Sequence, residues 1–318
     1  MNVKNHIITL VIFSFSNCYS QDSISTNSEY ITKFSDKIST RLSLINTSNS
    51  FYVNDKQNNL KYKLKPNKQD YLGVSILFRS IELDFGFSPK FLPSNEDNEN
   101  SKLFTLNFRM FHNQWMQTID YYDQKGFYFI NNDSEIDLPG VKTLKIGGST
   151  GYIFNRNFSF RAIGFQNEWQ TKSAGSFIPR IYYYYTKYTY KGQDFNEKAH
   201  SYDIALAPSY HYNFVFRDNF LFSLGGSAGI GLNHNTNLGN EDLTSVLYEA
   251  SARAVLSYNS KTFIGGINYN IIVFDHHIDR ISRQDDEISF LEFYIGYRFK
   301  APKKLIDFAD EFNKKHNF

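Results

Sequence analysis

Apolar and polar residues alternate along most of this chain, and the alternating runs are long. Between Phe220 and Leu232, large apolar residues share one face of the segment, while serine and glycine occupy the other. A repeat of two residues indicates a β-strand with one face in apolar surroundings. Many runs exceed about 10 residues, whereas a strand of a soluble protein averages about 5–6 residues and a tilted membrane strand needs about 9–11.

The connections between these runs differ in length in a regular way. Further alternating runs lie at 72–78, 81–87, 104–110, 144–154, 246–256, 263–273 and 291–299. Tight connections are predicted at 79–80, 112–114, 155–157, 217–219 and 259–260, and long polar ones at 89–100, 125–140, 191–199, 233–243 and 276–286. Short turns on one side and long loops on the other are typical of outer-membrane barrels.

The predicted fold is therefore all-β: a transmembrane antiparallel up-and-down β-barrel of about 12 strands (range roughly 10–14) with a short C-terminal amphipathic helix. About thirteen segments qualify as strands, including Thr40 to Val53, but both termini on one side require an even number. Short and long connections stop alternating between the segments 158–170 and 177–190, so one of the predicted strands is misassigned. Pro179 and Pro208 predict bulges, because proline cannot donate to a strand ladder. A soluble β-sandwich is the alternative, but it should have shorter strands.

The N-terminus is typical of a secretory signal peptide. Lys4 precedes a short apolar core from Ile7 to Phe15, and cleavage is expected before Gln21. The neighbours of Cys18 fit a lipid-attachment signal poorly. The predicted organisation is a signal peptide (1–20), a periplasmic N-terminal segment (21–39), an outer-membrane barrel (40–300) and a periplasmic tail (301–318). The expected location is the outer membrane.

The tail has the pattern of a short amphipathic helix. Leu305, Phe308, Ala309 and Phe312 fall at helical spacing, with charged residues between them. We expect this helix to dock on the barrel mouth or, alternatively, to bind a periplasmic partner.

Aromatic residues make up 18% of the chain, and six tyrosines fall between Tyr182 and Tyr190. A phenol ring has an apolar body and a polar tip, which suits the headgroup level of a membrane. Tyr182 and Tyr184 are expected inside the barrel, and codon bias or a soluble core are alternative explanations of the excess. The predicted interface aromatics are Trp115, Tyr121, Trp169, Tyr183 and Tyr185.

Charged residues on the predicted inward faces balance in sign. The formal net charge of the chain is only +2, which gives no indication of nucleic-acid binding. A pore that selects one sign of ion should show a bias, so an internal salt-bridge network is the favoured interpretation, and solute-lining groups are the alternative. The predicted lumen network is Glu82, Asp84, Asn107, Arg109, Lys145, Glu249, Arg253, Glu292 and Arg298.

Three stretches resemble a known family. "LKPNKQDYLGVSILFRSIELDFGF", "KSAGSFI" and the closing "LEFYIGYRF" are similar to a Bacteroidota outer-membrane family known only as a domain of unknown function. The resemblance extends from about Ile38 to Phe299. It implies an outer-membrane barrel, and it brings no catalytic or binding residues.

Two small clusters of residues are candidates for a metal site and a catalytic site. His276 and His277 lie among Asp275, Asp279 and a later acidic run (285–287), but without a strong metal-ligand spacing, so a solvated loop is favoured over a metal site. Ser209 and His211 share a strand face, yet no third group orients them.

The sequence therefore predicts no catalytic residue, metal or cofactor. The expected function is a narrow channel or a structural or binding protein of the cell envelope, with outer-membrane lipid as its partner. A barrel-borne lipid-modifying enzyme and a soluble periplasmic β-protein are the alternatives.

Overall fold

A computed structural model describes most of the protein. The described residues are 29–55, 60–67, 70–92, 95, 101–131, 134–163, 167–191, 196–236, 242–277 and 282–316. The predicted signal peptide, Cys18 and Asp279 lie outside them.

The described chain is almost entirely antiparallel strand, with one helix. The elements are β1 (Ile31–Lys33), β2 (Lys37–Asp55), β3 (Leu60–Pro66), β4 (Asp70–Phe78), β5 (Ile81–Phe87), β6 (Lys102–His112), β7 (Trp115–Asn131), β8 (Ser134–Tyr152), β9 (Glu168–Gln170), β10 (Ala174–Ile178), β11 (Arg180–Lys191), β12 (Asn196–Leu206), β13 (Ser209–Phe216), β14 (Phe220–Thr236), β15 (Leu243–Asn259), β16 (Phe263–His277), β17 (Ser282–Lys300) and α1 (Lys303–His316).

The strands form one closed ring with about twelve wall positions. At three wall positions, two short consecutive strands together take the place of one long strand. These pairs are β3 with β4, β10 with β11, and β12 with β13. The ring closes where β17 pairs with β2 along its whole length. The predicted all-β, up-and-down barrel with a short C-terminal helix is thus confirmed.

Two of the interruptions lie at prolines. Pro179 separates β10 from β11, and Pro208 lies between β12 and β13. Proline lacks an N–H and cannot donate to the ladder, but both carbonyls still accept backbone bonds, from Tyr152 at 3.2 Å and Ala228 at 3.4 Å. The wall therefore stays continuous through both breaks.

Short hairpins define one end of the barrel, which we call the turn end. The connections at 79–80, 113–114, 217–219 and 260–262 are tight. Arg79, Asn113, Arg217 and Asp218 adopt positive φ there, as is common in hairpin turns of two or three residues. The opposite end is the loop end.

Several predicted connections were wrong, among them the long loop at 276–286, where β16 ends at His277 and β17 begins at Ser282. The segment 125–140 is not a long loop, because β7 continues to Asn131 and β8 begins at Ser134. The ladder passes through a register shift between Lys125 and Phe127, where Gly126 takes a φ of 86° that side-chain-bearing residues rarely adopt. The segment 155–157 is not a tight hairpin either, since it opens a longer segment that folds inward.

That inward segment resolves the odd strand count. Phe158 to Gln170 was predicted as a wall strand, but among its described residues only β9 is a strand, and it pairs with β1 in a separate two-stranded sheet. Phe158, Phe160 and Ile163 are buried against wall residues Leu77 and Phe111. Apolar residues at alternate positions give this segment the sequence pattern of a membrane strand, but its apolar side chains pack inside the barrel and do not face lipid.

The outer face of the wall is apolar. Side chains such as Leu42, Ile76, Phe263 and Ile295 are more than half exposed. Their immediate neighbours in sequence point into the lumen, because successive residues of a strand face opposite sides. This outward apolar surface is that of a transmembrane barrel.

The helix α1 lies at the turn end. Its Asp310 accepts a bond from Arg79 at 2.6 Å, which ties the helix to the β4–β5 hairpin. Phe308 and Phe312 remain exposed. Among the described residues, no helix is long and apolar enough to cross a membrane.

Candidate functional site

Polar and charged side chains are concentrated in the lumen of the barrel. All nine residues of the predicted lumen network lie on inward faces of wall strands, and most of them are buried. They do not form one network. They separate into two ion-paired groups and several side chains bound in other ways.

The first group, which we call the Arg41 network, is centred on a residue that the sequence reasoning missed. The Arg41 guanidinium lies 3.4 Å from Glu82, 3.1 Å from Asp84 and 3.5 Å from Glu292. Arg109 pairs with Asp84 and approaches Glu82 at 4.0 Å. Burying charges is costly unless they are paired, so the arrangement explains how these ions can occupy the interior.

Neutral groups complete the Arg41 network. Ser43 donates to Glu292 at 2.6 Å, and Asn268 donates to the other oxygen at 3.2 Å. Ser75 accepts from Arg41 at 2.9 Å. Asn107, also predicted for the lumen, is buried opposite Asp84 on the neighbouring strand.

The second group lies nearer the loop end and is centred on Lys145. The Lys145 ammonium is fully buried, 3.3 Å from Asp286, and its nitrogen lies 5.2 Å from the ring centroid of Tyr184. Gln284 donates to Asp286 at 2.6 Å and to the Tyr188 hydroxyl at 3.2 Å. Asp286 was expected in an external loop, but β17 extends far enough to carry it inside.

Three predicted members lie outside both groups. Glu249 accepts from Ser227 at 2.7 Å, and no cation of the described residues lies within 4.0 Å of it. The Arg253 guanidinium lies 5.7 Å from the centroid of the Phe160 ring. Arg298 donates to the Ser260 carbonyl and lies 4.1 Å over the Phe34 ring. The nine residues of the predicted lumen network therefore belong to several separate groups of contacts.

The turn end of the lumen is filled by what we call the plug, residues 29–36, 153–163 and 167–173. Phe160 lies at its centre, 4.8 Å from the Arg180 guanidinium and 5.3 Å from the His211 ring. Cation–π and edge-to-face contacts of this kind stabilise a buried ring in polar surroundings. The plug joins the N-terminal segment to the barrel, although that segment was predicted to be separate.

Polar bonds fix the plug to the wall. Asn213 donates to the Ser159 carbonyl at 3.0 Å, and Asn259 donates to the Glu168 carbonyl at 3.2 Å. Within the plug, the Glu168 carboxylate accepts from Ser159 at 2.6 Å and from Arg161 at 3.1 Å. Backbone carbonyls and a buried carboxylate are thereby satisfied, so the plug is an integral part of the fold.

Above the plug, apolar side chains fill the lumen in further layers. One cluster comprises Tyr182, Tyr184, Ala205, Ala207, Leu247, Phe274 and Ile288, and another comprises Phe51, Phe127, Val141 and Tyr188. These clusters bring side chains from strands on different sides of the barrel into contact above the plug.

The aromatic residues lie largely on the predicted faces. Tyr182 and Tyr184 are buried inside, whereas Tyr183, Tyr185, Tyr121 and Trp115 lie on the outer face. Trp169 is the exception, because it belongs to β9 rather than to the wall. Its indole nitrogen donates to the Asp218 carbonyl at 3.0 Å.

Neither the Ser209–His211 pair nor the cluster around His276 forms a reactive site. Ser209 and His211 both point into the lumen, and the Ser209 hydroxyl donates to the Ile178 carbonyl at 2.8 Å instead of to histidine. Asp275 pairs with Arg283, while the His276 ring is buried. In the part of the chain that is described, no group of three His, Cys, Asp or Glu side chains could hold a metal ion.

Residues 21–299 match the family described as Domain of unknown function (DUF4421). The chain belongs to this family. The expected relationship to a family of unknown function is thus confirmed, whereas a Bacteroidota origin stays a prediction. No curated protein matches the chain in sequence.

The chain is also similar to several solved outer-membrane proteins. They include the outer membrane protease OmpT from Escherichia coli (8% identity, 86% of this chain, 100% of that chain, TM-score 0.35) and OmpT of Vibrio cholerae (8%, 85%, 100%, 0.34). A third is an outer membrane channel from Pseudomonas putida F1 (8%, 87%, 100%, 0.34). These similarities are too remote to assign a function to this family member.

Proposed function

We propose that this protein is an outer-membrane barrel with a sealed lumen, and that its role is structural or ligand-binding. Solute conduction, which the sequence left open, is the less favoured role. The filled lumen carries this proposal. The plug occupies the turn end, and the layers around Phe274 and Phe127 occupy the middle and the loop end.

The outer-membrane location rests on the wall itself. Outward apolar side chains are surrounded favourably only by lipid, and a closed ring leaves no unpaired strand edge in that lipid. The soluble alternative would leave side chains such as Phe263 and Ile295, more than half exposed, in water. Export through a cleaved signal peptide remains part of the proposal, and outer-membrane lipid is the partner of the outer face.

The alternative of a lipid-modifying enzyme receives no support from geometry. A Ser–His pair needs a hydrogen bond from the hydroxyl to the imidazole and access to substrate. Ser209 and His211 are buried on the lumen side and bonded or packed elsewhere.

The C-terminal helix offers a second contact surface. Phe308 and Phe312 are exposed on α1, which Arg79 holds at the turn end. In an outer-membrane barrel of this orientation the turn end is periplasmic, so a periplasmic partner that covers these rings remains a proposal.

Planar-bilayer recording of the refolded barrel tests the sealed lumen. The wild-type protein should give no stable conductance steps. An open outer-membrane porin recorded in the same bilayer serves as the positive control, because its lumen is a water-filled channel.

Heat-dependent migration on an SDS gel first establishes that each preparation is folded. Regular, reproducible steps from the folded wild type would reject the sealed lumen and favour the channel.

A further inference from the structure

A cleft on the outside of the barrel has the features of a ligand site. Its volume is about 600 Å³, within the range of roughly 300–1,000 Å³ typical of small-molecule sites. Strands β2, β3, β7, β16 and β17 contribute its walls, all near the loop end. Its lining includes Tyr52, Lys61, Lys63, Asp275, Arg283 and Asp285.

The cleft lies above the apolar surface of the wall. On β2, Leu42 and Leu44 are the exposed apolar residues, and Tyr52 follows Leu44 by eight positions on the same outward face. At ~3.3 Å per residue, eight residues span about 26 Å along the strand, and less in height because barrel strands tilt. The cleft is therefore at the level of lipid headgroups and their sugars, beyond the acyl chains.

The charges in the cleft are arranged unequally. Arg283 donates to Asp275 at 3.0 Å and through a second bond, and Asp285 lies opposite Asp275 on the paired strand. Lys61 and Lys63 have no carboxylate within 4.0 Å among the described residues. Three cations thus face two carboxylates, and the two lysines are available to an anion.

The Tyr52 ring lines the same cleft beside the lysines. The Lys63 nitrogen lies 4.4 Å from the Tyr52 ring centroid and donates to the Tyr52 hydroxyl. Tyr62 alternates with the two lysines, so its ring lies on the inward face of the wall, where it stacks on Phe129 at 5.0 Å. A flat ring next to carboxylates and cations suits a ligand with both apolar C–H faces and charged or hydroxyl groups.

We propose that this cleft binds the phosphorylated sugar headgroup of an outer-leaflet glycolipid. Lys61 and Lys63 bind the phosphate, and the Tyr52 ring and acidic side chains contact the sugar. A lipid-anchored ligand is favoured over a soluble one because the cleft faces outward and continues from the lipid-facing wall. This site is separate from the lumen, and its test does not depend on whether the barrel conducts.

Native mass spectrometry of the folded protein in detergent tests the proposal. The probes are a bisphosphorylated glucosamine-disaccharide lipid, the same lipid without phosphates, and soluble glucosamine 1-phosphate. The wild type should bind the phosphorylated lipid at least about tenfold more tightly than the dephosphorylated one, a ratio equivalent to about 1.4 kcal/mol.

The variant Lys61→Gln/Lys63→Gln should lose about tenfold or more of this affinity, because charge-assisted bonds to phosphate are strong. Lys65→Gln is the matched control, since it changes a lysine of the same strand that lies outside the cleft. It should bind within about twofold of the wild type, at a cost well below the 1.4 kcal/mol of a tenfold change.

Three results would reject the proposal: no preference for the phosphorylated lipid, an equal loss in Lys65→Gln, or binding of glucosamine 1-phosphate without binding of the lipid. The last result would assign the cleft to a soluble phosphorylated sugar. Heat-dependent gel migration verifies that each variant is folded before binding is measured.

Discussion

At the scale of single residues, the interior of the barrel depends on paired charges. Arg41 is nearly inaccessible to solvent and contacts three carboxylates. Since removal of one member of a buried ion pair leaves uncompensated charge, its partners become the destabilising element. Arg41 is therefore the residue on which the central network depends most.

Arg41→Met should lower the free energy of unfolding by about 3–5 kcal/mol. Urea unfolding of the lipid-reconstituted barrel, followed by the fluorescence of Trp115 and Trp169, measures this change. The double variant Arg41→Met/Glu292→Gln should recover part of the loss, because it removes one of the unpaired carboxylates. Wild-type stability in the single variant would contradict the assigned role of Arg41.

A second residue-scale prediction concerns close packing. An ideal Cβ on Gly225 would lie 1.9 Å from the His211 Nδ1 atom, so the histidine ring occupies the space that a side chain would need. Gly225→Ala should cost about 1–3 kcal/mol by overpacking. In the same unfolding assay, the cost should fall sharply in a His211→Ala background, and an unchanged cost would show that the two residues do not compete for space.

Sequence reasoning placed the charged residues on the correct side of the wall but did not find their partners. Alternation determines the face of a strand, so Glu82, Arg109 and Glu292 could be placed inward. Arg41 could have been found by the same signal, because it alternates with Leu42 and Leu44. Which strands lie across the lumen depends on the tilt and closure of the ring, which a single strand does not encode.

At the scale of elements, the plug distinguishes this barrel from a simple ring of hairpins. It is anchored by Asn213 and Asn259 and centred on Phe160. Its segment 158–170 was predicted as a strand, and within that segment Phe158, Phe160 and Ala162 alternate with polar residues. Those polar residues, Ser159 and Arg161, bond within the plug to Glu168.

Phe160→Ala should lower the free energy of unfolding by about 3–5 kcal/mol, because it opens a cavity in a buried cluster. Phe154→Ala is the control, since Phe154 lies at the start of the plug but is exposed. Its cost should be within about 1 kcal/mol of zero, as for most exposed positions. Equal effects of the two substitutions in urea unfolding would contradict a packed plug.

At the scale of the whole molecule, one pattern accounts for both faces of the wall. Outward residues form the lipid-facing surface, and inward residues fill the lumen with aromatic layers and ion pairs. The all-β class and the number of wall strands followed from alternation and loop lengths. The pairing of side chains inside the lumen did not, because it depends on contacts between residues far apart in sequence, such as Lys145 with Asp286.

The accessibility of single cysteines in intact cells tests the sealed transmembrane barrel most directly. In a Cys18→Ser background, Ser223→Cys probes the lumen, Leu224→Cys probes the lipid-facing side of the same strand, and Asn54→Cys probes the outer cleft. A membrane-impermeant maleimide should label only the Asn54→Cys protein, and all three after denaturation. Labelling of Ser223→Cys as fast as Asn54→Cys would show a water-filled, open lumen and contradict the account.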